Sequence, residues 1–340
     1  MIRVLVAGLG NMGRSHALAY HHNKNFEIVG LMNRSKPDLP DVLNGYGIYS
    51  DFARALTDCQ PDLVAVCTYT DSHSEFAISA MRAGAHVFVE KPLASTAHDA
   101  QRVIDEAVKT GRKMIVGYIL RHHPSWQRLI VESRALGGPY VFRMNLNQQS
   151  SGQEWDVHKN LMKSTSPIVD CGVHYVDVMC QITDASPKQV RAMGVRLSDE
   201  IAPDMYNYGH FQVLFDDDSI GWYEAAWGPM ISETAYFVKD VMSPNGAVSI
   251  VEHTDGGSSA IDSHTRVGSL RVHKVQGQGE IINLPDEPGH QDLCDAQAAY
   301  VADAILNDLD ISRHMSDALN SLAICLAADE SVRTGQPVDL

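Results

Sequence analysis

The chain has 340 residues, 44% of them apolar, and its 42 acidic against 27 basic side chains give a formal charge of −15. That length favours two domains, each large enough to bury its own core. The acidic balance argues against nucleic acid and anionic membrane surfaces as partners, and no apolar run approaches the ~20 residues of a membrane span.

The first residues, MIRVLVAGLG, read as a strand and not as a signal peptide. Short apolar runs follow at 2–7, 26–32, 63–67, 86–89 and 113–117, with helical patterns between them. In SHSEFAISAMRAG, Phe76, Ala77, Ala80 and Met81 form one stripe that Gly84 ends. In STAHDAQRVIDEAVKTG the stripe is Ala100, Val103, Ile104, Ala107 and Val108, with Thr96 as N-cap, Asp99 three residues on and Gly111 past the end. Repeated strand–helix–strand units predict a doubly wound parallel sheet with helices on both faces. The rhythm changes after residue 122. A helix over PSWQRLIVESRAL is followed by strand-like runs at 141–147, 190–195, 208–215, 220–227, 236–242 and 270–275, with FDDDSIG as a hairpin turn. Helices return at 292–306 and 316–333. The expected architecture is therefore α/β: an N-terminal Rossmann domain over 1–122, and a C-terminal α+β domain over 123–340 with an open, mostly antiparallel sheet. Segments 148–163 and 253–264 read as loops.

Gly8, Gly10 and Gly13 form a GxGxxG directly after the first strand. This pattern suits a tight turn, close backbone approach to a pyrophosphate and close helix packing, with the N–H groups of the next helix, around Asn11 and Met12, open to phosphate. The acid that binds the adenine ribose of NAD is expected at the end of the second strand. Here Asn33-Arg34-Ser35 follow FEIVGLM. With no carboxylate, and with a cation beside it, NADP(H) is the expected cofactor, NAD(H) the alternative. A third feature is HVFVEKPLAS, where an apolar strand ends in Glu90-Lys91-Pro92. Ligands of parallel sheets bind outside the carboxyl ends of the strands, so Lys91 is a candidate for chemistry. In SPIVDCGVHYVDVMCQI, Asp170, His174 and Asp177 share one helix face beside the apolar stripe Val169, Val173, Val176 and Cys180. That ridge suits acid–base work or a solvated face. The six cysteines are scattered without a CxxC pair and read as reduced core thiols of a cytoplasmic protein; the 16 histidines form no metal motif, and no metal is expected.

With GLGNMG, HVFVEKPLA, GYILRHHP and DCGVHYVD in this order, the chain resembles the glucose–fructose oxidoreductase, inositol dehydrogenase and MocA (Gfo/Idh/MocA) family. The resemblance implies hydride transfer between nicotinamide and a secondary alcohol or ketone of a sugar, cyclitol or sugar derivative. It implies that Lys91 binds the substrate oxygen beside the nicotinamide, that His174 is the principal acid–base residue, and that Asp170 binds substrate and orients His174. Glu90 would orient nearby groups or contact the cofactor side. Thr68 and His73 in CTYTDSH would line the cofactor cleft, with packing the other reading of His73. Tyr118 and Arg121 would touch nicotinamide or substrate, or brace the turn between domains. Within 148–163, Trp155 could stack on a sugar face or anchor the segment, and His158 or Lys163 could bind hydroxyls. Ser164-Thr165-Ser166-Pro167 stand where many relatives carry a glycine triplet, which leaves the substrate open. Relatives often associate through the second sheet, so a homodimer or homotetramer is expected. The alternatives are NAD-assisted redox-neutral glycoside cleavage and a catalytically inactive dinucleotide sensor.

Overall fold

A computed structural model describes residues 1–232, 238–251, 258 and 265–340. Cα packing divides the chain into two compact units, Met1–Ile119 with Gly289–Leu319, and Leu120–Pro288 with Asn320–Leu340. The start of the expected strand 236–242, and all of the expected loop 253–264 except Ser258, lie outside the described residues.

The first unit holds β1 (Ile2–Ala7), α1 (Asn11–His22), β2 (Phe26–Met32), β3 (Ile48–Tyr49), α2 (Phe52–Cys59), β4 (Leu63–Val66), α3 (His73–Arg82), β5 (His86–Val89), α4 (Ala97–Thr110) and β6 (Met114–Val116). Its strands pair in the order β3-β2-β1-β4-β5-β6, all parallel. β4 is buried throughout and β1 and β5 nearly so, as a sheet covered on both faces requires. The caps of α4 are those read from the sequence: Thr96 Oγ1 accepts the Asp99 N–H at 3.0 Å, and Gly111 takes the left-handed conformation at φ +65°. Strand order reverses between β1 and β4, so the loops after these two strands diverge and open the crevice that binds ligands in such sheets.

The second unit is built on a nine-stranded sheet. Its elements are α5 (Pro124–Leu136), β7 (Val141–Gln149), α6 (Gly152–Leu161), α7 (Pro167–Ile182), β8 (Pro187–Val195), β9 (Tyr208–Phe215), β10 (Ile220–Gly228), β11 (Lys239–Ser243), β12 (Gly246–Ile250), β13 (Ser269–Lys274) and β14 (Glu280–Asn283). The chain then continues through α8 (His290–Leu306), α9 (Ser312–Thr334) and β15 (Val338–Asp339). Strand order is β14-β13-β12-β11-β7-β10-β9-β8-β15, with β7 and β10 parallel and the other described pairs antiparallel. α7 lies on the face formed by Phe142, Phe211, Val213 and Tyr223, all buried. Gly172 lets it come close, since a Cβ there would stand 3.0 Å from the Tyr223 ring and 3.2 Å from Cys325 Sγ.

Two expectations need correction. Residues 289–319 group with the first unit because α8 turns its small apolar face onto α1: Cys294, Ala298, Val301 and Ala302 share one buried cluster with Ala17 and Tyr20. Segment 148–163 is not a loop; β7 runs through Gln149 and α6 begins at Gly152. All six cysteines are unpaired and buried. Among the described residues no helix is long and apolar enough to cross a membrane.

Burial, with Arg121 beside it, pushes the His122 imidazole down from its usual 6.5 to about 4. The unfolded chain therefore takes up a proton below pH 6.5 that the folded chain refuses, and stability is lost as pH falls from 6.5 toward 4. The shift corresponds to at most about 3 kcal/mol. We expect urea unfolding at pH 4.5 to show a clear loss against pH 7. The loss should shrink in His122→Gln; an equal pH dependence in that variant would count against the assignment.

Candidate functional site

The glycine turn of the first unit is shaped by contacts that exclude side chains. Gly8 stands at φ +93°, where a Cβ would lie 2.4 Å from the Cys67 carbonyl oxygen. A Cβ on Gly13 would overlap the Gly8 carbonyl oxygen at 1.9 Å, so α1 rests directly on the turn. Gly10, by contrast, is exposed and a Cβ on it would meet nothing within 4 Å. It is also the N-cap of α1, with no side-chain cap bond, which leaves the first N–H groups around Asn11 and Met12 to face an anion. Asn11 is exposed and Met12 half-buried. This cradle fits a dinucleotide pyrophosphate.

At the end of β2 stands an amide and not a carboxylate. Asn33 Oδ1 accepts the Leu9 N–H at 3.0 Å, and its Nδ2 donates to the Ser35 carbonyl at 2.9 Å. The side chain thus ties the glycine turn to the loop after β2. Arg34 and Ser35 are exposed, and Arg34 makes no ion pair among the described residues. A second cation nearby was missed in the sequence. Arg14, in the first turn of α1, donates to Asn11 Oδ1 at 2.7 Å and to the Asp38 carbonyl at 3.2 Å. The spacing that could have found it is one residue past the last glycine.

The ends of β4 and β5 come next. Thr68 Oγ1 accepts from the Ser72 hydroxyl at 2.7 Å and is half-buried. His73 is only 1% exposed, and both ring nitrogens face carbonyl oxygens, Nδ1 that of Pro92 at 2.8 Å and Nε2 that of Thr68 at 3.0 Å. It stands between two strand ends, in keeping with the packing reading of this residue. Burial lowers its pKa, while the two carbonyl contacts act in the opposite direction. Glu90 is buried. Its Oε1 pairs with His16 Nε2 at 2.6 Å and its Oε2 accepts the Lys91 N–H at 3.1 Å. Lys91 is half-buried and precedes Pro92 through a cis bond.

In the second unit, α7 starts at Pro167 with Ser166 as its cap, whose hydroxyl accepts the Val169 N–H at 3.1 Å and donates to Asp329 at 2.7 Å. Tyr206 donates to the same carboxylate, whose pKa is raised by burial. Of the sixteen residues of α7, all but Asp170, His174 and Gln181 are buried. Asp170 and His174 are thus one turn apart on the half-exposed stripe of an otherwise sealed helix. Asp177 does not join them. It is fully buried, and Arg121 closes on it with two bonds of 2.8 and 2.5 Å while Gln181 adds a third at 3.0 Å. Arg121, expected at the substrate, therefore has its guanidinium committed to Asp177 as a brace.

Trp155 needs the same correction. It lies on α6 at 5% exposure, its indole N–H donates to Glu200 at 3.2 Å, and Lys159 covers its ring at 5.7 Å. That makes it an anchor with no open face for a sugar. His158 stacks on Trp227 at 4.4 Å, and Lys163 donates to Asn160 at 3.0 Å. Beneath α7 lies a residue that no local pattern points to. Lys239, 2% exposed, donates to the Asn145 carbonyl and holds its amine 4.4 Å over the Tyr175 ring. Burial pushes its pKa well below the ordinary lysine value.

Comparison with known proteins supports both units. A family model described as "Oxidoreductase family, NAD-binding Rossmann fold" matches residues 2–118, and one described as "GFO/IDH/MocA C-terminal domain" matches 127–233. A 4-carboxy-2-hydroxymuconate-6-semialdehyde dehydrogenase of Sphingobium sp. is 31% identical over 169 residues, 46% of this chain and 54% of that protein. An inositol 2-dehydrogenase of Salmonella typhimurium is 26% identical over 201 residues, 57% of this chain and 58% of that one. The chain thus spans about half the length of these curated relatives. The scyllo-inositol dehydrogenase of Lactobacillus casei, solved with NAD(H) and scyllo-inositol, shares the fold with a TM-score of 0.77 at 18% identity, covering 100% of this chain and 99% of that one. From its glycine turn to the helix that carries Asp170 and His174, this chain belongs to the Gfo/Idh/MocA oxidoreductase family.

Proposed function

We propose that the protein is an NAD(P)-dependent dehydrogenase or reductase acting on a secondary alcohol or ketone of a sugar, cyclitol or sugar derivative. The observation that carries this reading is the α7 stripe: a carboxylate and an imidazole one turn apart are left half-exposed on a helix that buries almost everything else. Such exposure of two titratable groups, beside a buried core, is what proton transfer needs. The relatives named for inositol oxidation support the substrate class.

Gly8, Gly10, Asn11, Met12 and Gly13 would hold the pyrophosphate, with Asn33, Arg34 and Ser35 at the adenine ribose and Thr68 at the strand end nearby. Bound nicotinamide supplies the hydride acceptor or donor at C4. His174 takes the hydroxyl proton as the carbinol C–H bond breaks and the C=O bond forms, and returns it in the reverse direction. Asp170 binds substrate hydroxyls and orients His174. Lys91 stabilises the developing alkoxide. His174→Ala and Lys91→Ala are each expected to cut kcat by about 10²–10⁴-fold, with His174→Ala leaving cofactor affinity closer to native. Assays against a polyol panel, followed by nicotinamide absorbance, test this; near-native turnover in both variants would overturn it.

The cofactor reading is NADP(H) preference. Asn33 brings no charge to repel a 2′-phosphate, and Arg34 is exposed beside it. The ratio of kcat/KM for NADP+ over NAD+ should favour NADP+ and collapse in Arg34→Ala while NAD+ activity survives. A native preference for NAD+ that the mutation leaves unchanged would defeat the reading.

Six scattered, buried cysteines with no CxxC pair are consistent with the cytoplasmic setting we propose. On the face of the second sheet away from α7, Leu214 and Ile220 pair in register and are 39 and 46% exposed, and Met193, opposite His210 on the same face, is 58% exposed. We place a homodimer or homotetramer contact there. Light scattering at micromolar concentration should return a multiple of 37.3 kDa; a monomer would refute it.

A further inference from the structure

We propose that His16 is a positioning residue for Lys91, acting through the Glu90 carboxylate; this rests on the role given to Lys91 above. The ladder of the first sheet holds the chain up to Glu90, whose N–H donates to the Val66 carbonyl at 2.8 Å. Lys91 lies beyond the end of β5, and its N–H is taken by the Glu90 side chain at 3.1 Å. The geometry of the lysine backbone therefore depends on where that carboxylate sits.

His16 fixes the carboxylate. Its Nε2 stands 2.6 Å from Glu90 Oε1, and the two side chains are 1 and 7% exposed. A carboxylate this buried is costly unless it is paired, so the partner sets its position. The His16 ring is itself held 4.6 Å from the Phe88 ring. On the far side Gly117 leaves room: a Cβ there would stand 3.0 Å from both Glu90 Oε1 and the Phe88 ring. The other flank of Lys91 is held as well, with the Pro92 carbonyl 2.8 Å from His73 Nδ1. His16 differs from His73 in where it comes from. It lies on α1, one turn after Gly13, on the helix whose N-terminus faces the pyrophosphate cradle. A shift of α1 when the cradle is filled reaches the lysine through one imidazole and one carboxylate.

The test is amide hydrogen exchange at Lys91, read by mass spectrometry on the full-length protein with and without saturating NAD+, alongside kcat on the polyol that the panel identifies. His16→Leu should speed exchange of the Lys91 amide by at least about tenfold. It should lower kcat by about tenfold or more while the cofactor dissociation constant stays within about threefold. His16→Gln, which keeps an N–H donor toward Glu90, should recover most of both. In a cycle with Glu90→Leu, the double variant should be no slower than Glu90→Leu alone, because the two residues act in series. A folded His16→Leu with native exchange and native kcat would overturn the proposal, and so would effects that multiply. If His16→Leu does not fold, Gly117→Ala reads the same link by crowding Glu90 Oε1 and the Phe88 ring that packs on His16, and native exchange there would overturn it equally. Lys91→Ala separates the two readings. If that variant keeps its turnover, the role of the lysine is wrong, whereas the exchange data still report on the His16–Glu90 link.

Discussion

The contact between Gly13 and the Gly8 carbonyl sets much of the first unit. No side chain fits there, since a Cβ would fall 1.9 Å from that oxygen. With the gap closed, α1 lies flat against the turn that follows β1, and its first N–H groups aim at the space above Gly10. The same placement brings His16 against Glu90 and Ala17 and Tyr20 against α8. An anion cradle, a buried imidazole–carboxylate contact and a helix–helix seam thus share one steric condition.

In the second unit the corresponding constraint is the depth at which α7 sits on its sheet. Gly172 removes the bulk that would hold it away from Tyr223 and Cys325. The N-terminus is fixed by Ser166, which serves both the helix backbone and Asp329. Farther along, Arg121 and Gln181 satisfy the fully buried Asp177. An unpaired carboxylate there would be strongly destabilising, so the arginine is as necessary to the helix as its apolar stripe. At Ser166 the hydroxyl serves twice over, as the cap of α7 and as a donor to Asp329.

Much of this was legible in the sequence, and the failures have physical causes. Period and punctuation were enough for α4, whose cap at Thr96 and stop at Gly111 are local effects. The glycine turn and the acid–imidazole pair of α7 could be placed because each depends on spacing along one element. What failed depends on partners distant in sequence. Nothing near Arg121 announces that Asp177 will take its guanidinium, and nothing near Trp155 points to Glu200. His73 reads as a strand-end ligand until the Pro92 and Thr68 carbonyls claim both nitrogens. α6 reads as a loop because its stripe is weak and mostly polar, with Trp155 alone buried. The position of 289–319 was hidden for another reason: small residues such as Ala298 and Ala302 mark a close-packed face without saying which helix it meets.

The sealed character of α7 bears on how such a protein diversifies. Thirteen of its residues are buried, so drift along the helix is penalised nearly everywhere by packing. Gln181 is tied to Asp177. Only Asp170 and His174 remain as half-exposed positions on the helix. Change that spares this packing has to fall in the segments around α7 and not in the helix itself.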